Sequence, residues 1–147
     1  MTPVDLNILN AVWLHMEGRV VYRLGAKAPS LTCDTSKITE IDCSGFVRYA
    51  VARATNQAVI LPDGSQAQKE WASVNLEPTS YPSANGATGL YIAFLSPVPG
   101  DDWPRHVWLV RQSWTRESCS SMGVCARPWS HPKLANPSGC FVLPSTK

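Results

Sequence analysis

Leu6, Leu9, Val12, Trp13 and Met16 recur at three- and four-residue spacing, the period of a helix with one buried face. Thr2-Pro3-Val4-Asp5 lies just before them and reads as the helix start. Thr2 caps, Pro3 suits the first helical position, and Asp5 sits three residues after the cap. Gly18 is a natural stop. A second stripe, Phe46, Val47, Ala50, Val51 and Ala54, predicts a helix that opens at Cys43 and ends at Asn56. Between the two, residues 19–42 read as a long connection ending at Asp42. Pro62-Asp63-Gly64-Ser65 is a turn, followed by a short helix from Gln66 to about Val74 with Ser65 as cap.

Beyond that helix the pattern changes to a turn-rich stretch and then to short β-type runs. These are Leu90 to Leu95, His106 to Arg111, Trp114 to Ser118, and Phe141 to Leu143. Helices first and an antiparallel sheet after is an α+β order. At 147 residues the chain fits one domain, 1–147, and can build a core of its own.

Composition removes several function classes. Hydrophobic residues make up 44% and charged residues 16%, too apolar for a disordered chain. A net charge of +2, with the basic residues scattered, argues against a nucleic-acid partner. The longest apolar run, Leu90 to Leu95, is too short for membrane insertion. Asp5, His15 and Glu17 interrupt the first twenty residues, which do not read as an export signal. The expectation is a soluble monomeric domain.

Cysteines leave the compartment open. Cys33, Cys43, Cys119, Cys125 and Cys140 contain no C-x-x-C pair and no His at zinc-finger spacing, so no metal site is expected. If one thiol is active, the other four form up to two disulfides; alternatively all are reduced.

The chemistry concentrates in Asp42-Cys43-Ser44-Gly45-Phe46-Val47. It puts a thiol where a loop becomes a helix, and the free N–H groups and dipole there favour a thiolate of lowered pKa. The Cys43 N–H is placed to donate to an oxyanion beside the sulfur. Asp42 suits the cap, and Gly45 permits another segment to come close. Of three histidines, His15 lies within the first helix and His131 in a Pro-rich loop. His106 opens the run Val107-Trp108-Leu109-Val110, a position where a general base is held by a sheet yet faces a cleft.

Tyr22-Arg23-Leu24-Gly25-Ala26, then Asp42-Cys43-Ser44-Gly45-Phe46-Val47, then His106-Val107 at a strand start, resemble the NlpC-like cell-wall cysteine peptidases over about residues 19–128. The resemblance implies a papain-like core, with the nucleophile helix packed on an antiparallel sheet. It implies hydrolysis of an amide bond in a peptidoglycan stem peptide, typically between γ-D-glutamate and the diamino acid, without a cofactor. Carried over, it makes Cys43 the nucleophile and His106 the base. Tyr22 becomes the tyrosine near the sulfur, and Asp42 and Ser44 the lining of a pocket for the substrate's free amino group.

Three departures stand out. Ala26 replaces a glycine. Trp108 replaces another, on a strand that often faces substrate, and is expected to touch it. The family's third polar residue falls at Ser118, between Glu117 and Cys119. Strand alternation with a turn at Gln112-Ser113 sets the odd-numbered pair across from the His106 face. A carboxylate also holds an imidazolium better than a hydroxyl or thiol, which favours Glu117 over Ser118.

Two other readings stay open: a papain-like deamidase or transglutaminase acting on protein glutamine, and an inactive module that binds cell-wall peptide. A cell-wall target without an export signal implies delivery by phage lysis or tail machinery or by a dedicated secretion route. An immunity or assembly partner is compatible with such a route, but the sequence does not identify one.

Overall fold

A computed structural model describes residues 1–79, 89–96, 106–111, 114–117 and 139–146. Ser118, Cys119, Cys125 and His131 lie outside them. In chain order come α1 (Leu6–Met16), β1 (Val21–Tyr22), a 3-10 turn (Thr35–Lys37), β2 (Glu40–Ile41), α2 (Cys43–Ala54) and α3 (Ser65–Asn75). They are followed by β3 (Glu77–Pro78), β4 (Leu90–Leu95), β5 (His106–Arg111), β6 (Trp114–Glu117) and β7 (Gly139–Leu143). The fold is α+β, as expected.

The first helix starts three residues later than its sequence signals suggest. Asp5 is the cap, its carboxylate accepting the N–H groups of Asn7 and Ile8. The preceding residues are drawn to the other end of the chain. Val4 bridges Ser145, and its backbone exchanges hydrogen bonds with Pro144 and Thr146 at 2.8 and 2.9 Å. A partner about 140 residues away outweighs the local cap at Thr2. Leu6, Leu9, Val12, Trp13 and Met16 are all buried, as their spacing requires. At the third helix, Ser65 is the first helical residue rather than the cap, because Gly64 at φ 88° makes the turn.

The connection 19–42 holds structure that periodicity does not reveal. β1 and β2 pair in parallel, Val21 with Glu40 and Tyr22 with Ile41. Strands of two residues are too short to show an alternation.

Among the described residues, β3–β7 form one antiparallel sheet in the order β3-β7-β4-β5-β6. One face (Leu90, Ile92, Phe94, Val107, Leu109, Phe141, Leu143) joins the main core with α1 and α2. The other carries Ala93, Trp108, Val110 and Cys140, also buried. Burial on both faces explains why β4 and β5 read as continuous apolar runs rather than alternating ones. Helix α2 packs between α1 and β5, and most of its residues are buried. Each fully buried aliphatic or aromatic side chain there contributes roughly 1.5–3 kcal/mol. The nucleophile candidate therefore sits at the end of the most deeply packed helix. No helix among the described residues is long and apolar enough to cross a membrane.

β5 and β6 pair antiparallel, but their register slips; the turn expected at Gln112-Ser113 lies outside the described residues. Arg111 pairs with Trp114 and Val110 with Thr115, and then Leu109 pairs with Glu117, with a bulge between. An unbulged count sets Glu117 across from Trp108. The extra residue moves it to Leu109, which overturns the alternation argument that set Glu117 across from the His106 face.

Candidate active site

The start of α2 is held by a close crossing of two segments. The Asp42 carboxylate caps the helix by accepting the Gly45 N–H at 2.7 Å. It also accepts the Gly25 N–H at 3.1 Å, while the Asp42 N–H donates to the Ala26 carbonyl at 2.9 Å. Gly45 makes this possible. A Cβ there would lie 2.8 Å from Asp42 Oδ1 and 3.1 Å from both the Ala26 oxygen and Ile41 Cγ1. The close approach expected of this glycine is thus an approach by the 25–26 turn.

Cys43, the first residue of α2, is 6% exposed. Its sulfur takes hydrogen bonds from two backbone N–H groups, those of Val107 and Ser44. The first comes from the residue after His106, so the helix start and the β5 start meet at this sulfur. Burial pushes the thiol above its ordinary range, while the Val107 N–H opposes this, the Asp42 charge adds to it, and the Ser44 N–H and Lys27 oppose it. The net direction is up, contrary to the lowered pKa expected from a helix N-terminus. Loss of water around the anion outweighs two N–H donors and a nearby ammonium.

His106 opens β5 opposite Leu95. Burial lowers its pKa to about 4. At neutral pH the thiol and the imidazole are therefore both uncharged, rather than a thiolate–imidazolium pair. The imidazole stacks on Trp108, with ring centroids 5.5 Å apart and planes at 20°. Trp108 is fully buried in the cluster on the reverse face of the sheet. The expectation that it touches substrate is corrected: the indole has no free surface to offer, and it supports the histidine ring instead.

Tyr22 is half-buried at the end of β1, beside Ile41 of β2. Its hydroxyl pKa is raised by burial, then by the charge Cys43 carries once ionised and by the Asp42 carboxylate, which places it within electrostatic reach of both. Ser44 is buried, with its hydroxyl 3.4 Å from Asp42 Oδ1. Tyr22, Asp42, Cys43 and Ser44 thus lie together beside the β5 start, and Glu117 pairs three residues along β5 from His106.

Two further residues belong here, and local sequence does not signal either. The Lys27 ammonium sits 2.8 Å from both Asp42 oxygens and 3.1 Å from the Ser44 hydroxyl. The two ends of that contact are fifteen residues apart. Gln68 of α3, fully buried, donates to the Ser44 and Pro62 carbonyls at 3.0 Å each. It pins the first turn of α2 from behind, although in sequence it is one polar residue among many in α3. Among the described residues, no group of three His, Cys, Asp or Glu side chains could hold a metal ion.

No protein-family model matches the chain, and no curated protein matches it. Solved structures do. An NLP/P60-family protein of Staphylococcus aureus, described as similar to lipoprotein, superposes with a TM-score of 0.64 at 16% identity over 96% of this chain. The chain spans only 42% of that protein's length. RipD of Mycobacterium tuberculosis, described as a non-catalytic NlpC/p60 domain protein adapted to peptidoglycan binding, gives 0.56 at 17% identity, covering 92% of this chain and 94% of that one. The P60 domain of a Mycobacterium avium paratuberculosis antigen gives 0.53 at 19% identity, covering 93% and 90%. The fold is that of the NlpC/P60 domains.

Proposed function

We propose that the chain is an NlpC/P60-type cysteine peptidase that acts in the cell wall, hydrolysing an amide bond of the peptidoglycan stem peptide. The γ-D-glutamyl–diamino acid bond is the target that the motif resemblance implies. The observation that carries this reading is the Cys43 sulfur at the start of α2, hydrogen-bonded by the N–H of the residue following His106.

The reaction starts from a neutral pair. The sulfur attacks the amide carbon while His106 takes the thiol proton, and the carbonyl oxygen becomes an oxyanion. The Cys43 N–H, a first-turn group with no partner within the helix, is suited to receive that charge, since the Gly45 N–H is taken by Asp42. Collapse expels the amine, which takes the proton from His106 and leaves a thioester on Cys43. Water then attacks the thioester, gives its proton through His106, and releases the carboxylate with the thiol restored.

A second reading, a module that binds cell-wall peptide without cleaving it, is favoured by one observation. Cys43 as a whole is only 6% exposed, and that burial pushes its thiol pKa up. Incubation with purified muropeptides of defined stem type, followed by mass spectrometry, separates the two. The peptidase yields new peptide fragments that Cys43→Ala does not. Intact muropeptides across all stem types overturn the peptidase, and their retention on the protein establishes the binding module.

A further inference from the structure

The buried carboxylate beside the nucleophile is already occupied. A carboxylate has about four lone-pair positions. On Asp42 they meet the Gly45 N–H, the Gly25 N–H, and the Lys27 ammonium at 2.8 Å from each oxygen. The same ammonium reaches the Ser44 hydroxyl at 3.1 Å. Asp42 keeps 7% of its side-chain surface and Lys27 keeps 36%, so the lysine is the outer member of the pair and the one a ligand meets first. Its aim is fixed, because the 25–26 turn is bound to Asp42 through Gly25 and Ala26. Lys27 is also close enough for its charge to act on the Cys43 sulfur.

A buried Asp and a Ser hydroxyl beside a nucleophile would otherwise attract a substrate cation. Here the charge is cancelled and the donors needed are already in place. An incoming ammonium must displace Lys27 against its repulsion. An acylated nitrogen brings no charge, and its carbonyl can accept a hydrogen bond from a lysine N–H.

We infer that Lys27 is a built-in occupant of the ammonium position beside Asp42 and Ser44, so that the site takes stem peptides whose first residue is N-acylated and disfavours those with a free amino terminus. This rests on the peptidase reading above for its substrate, but the charge around Cys43 is measurable without catalysis. N-acylated stems are those still joined to the glycan through an amide, so the chemistry points to intact wall rather than to released peptides.

The experiment has two arms. In the first, Cys43 is modified with a sulfonate-bearing or a trimethylammonium-bearing methanethiosulfonate, and its labelling is followed by peptide mass spectrometry. The full chain favours the sulfonate reagent. Lys27→Met shifts the rate ratio about tenfold toward the cationic one, as expected for one unit charge within several ångströms. Lys27→Arg retains the original ratio, and Lys27→Gln repeats the Met result if the Met variant folds poorly. In the second arm, Cys43→Ala is titrated with one stem tripeptide carrying a free or an acetylated amino terminus. It binds the acetylated form at least tenfold more tightly, and adding Lys27→Met removes that preference.

An unchanged reagent ratio in both neutral variants overturns the inference, as does tighter binding of the free-amino peptide. If both arms follow expectation while wild type cleaves no muropeptide, Lys27 keeps this role and the peptidase reading alone falls.

Discussion

The imidazole of His106 lies on the indole of Trp108, with centroids 5.5 Å apart and planes at 20°. Both rings belong to β5, two positions apart, where side chains point to the same face. Trp108 is fully buried, so it gives the histidine a fixed and water-poor floor. That floor is part of the burial that lowers the imidazole pKa to about 4.

Trp108→Leu retains an apolar filler but removes the aromatic face and admits water. The His106 pKa, followed by NMR, is expected to rise from about 4 toward the ordinary ~6.5. If the ring is held by this stack, kcat on muropeptides falls while KM changes little. A merely structural loss would leave the histidine titration unmoved.

The same burial makes stability pH-dependent. Below the unfolded pKa of ~6.5 the unfolded chain binds a proton that the native His106 refuses until about pH 4. Stability therefore falls as pH drops through this window and levels off below it. The shift from 6.5 to about 4 corresponds to about 3 kcal/mol. Denaturant titrations from pH 7 to 4 should show a loss of this order, reduced in His106→Gln relative to wild type.

Cys43 should alkylate slowly at rest. With its thiol raised by burial, iodoacetamide at pH 7 is expected to modify it at least tenfold more slowly than the same cysteine in the unfolded chain. The rate should climb beyond pH 9. Fast, pH-flat labelling near pH 7 would mean a resting thiolate and would overturn the neutral pair.

Gly45→Ala tests the crossing at the helix start. The new Cβ meets the Asp42 carboxylate and the Ala26 backbone oxygen at 2.8 and 3.1 Å. The backbone oxygen can move only with its turn. A loss of about 1–3 kcal/mol is expected, read as a lower denaturation midpoint. Loss of muropeptide cleavage should accompany it, because Lys27 and Asp42 are carried on the displaced segments.

Much of the frame is legible from local pattern. The stripe from Phe46 to Ala54, the run from Leu90 to Leu95 and the strand opening at His106 are short-range periodicities, and each appears within a residue or two of its expected bounds. The helix-start position of Cys43 follows from the Asp42 cap in the same way. Thr2 fails as a cap because Val4 is bound to the far end of the chain. Glu117 changes partner because one extra residue enters β6. Neither cause can be seen within a window of ten residues.

The sequence by itself determined the three helices and the longer strands, and which of them carry a thiol, an imidazole and a carboxylate, since helix and strand periods and caps are properties of neighbouring residues. Tertiary structure decided the charge states and the contacts. Packing of α2 against β5 removes water from Cys43 and reverses the expected direction of its pKa. Closure of the 25–26 turn over that helix delivers the Lys27 ammonium to Asp42 from fifteen residues away. Desolvation and long-range ion pairing depend on what surrounds a group in space, and that is set only when the whole chain has folded.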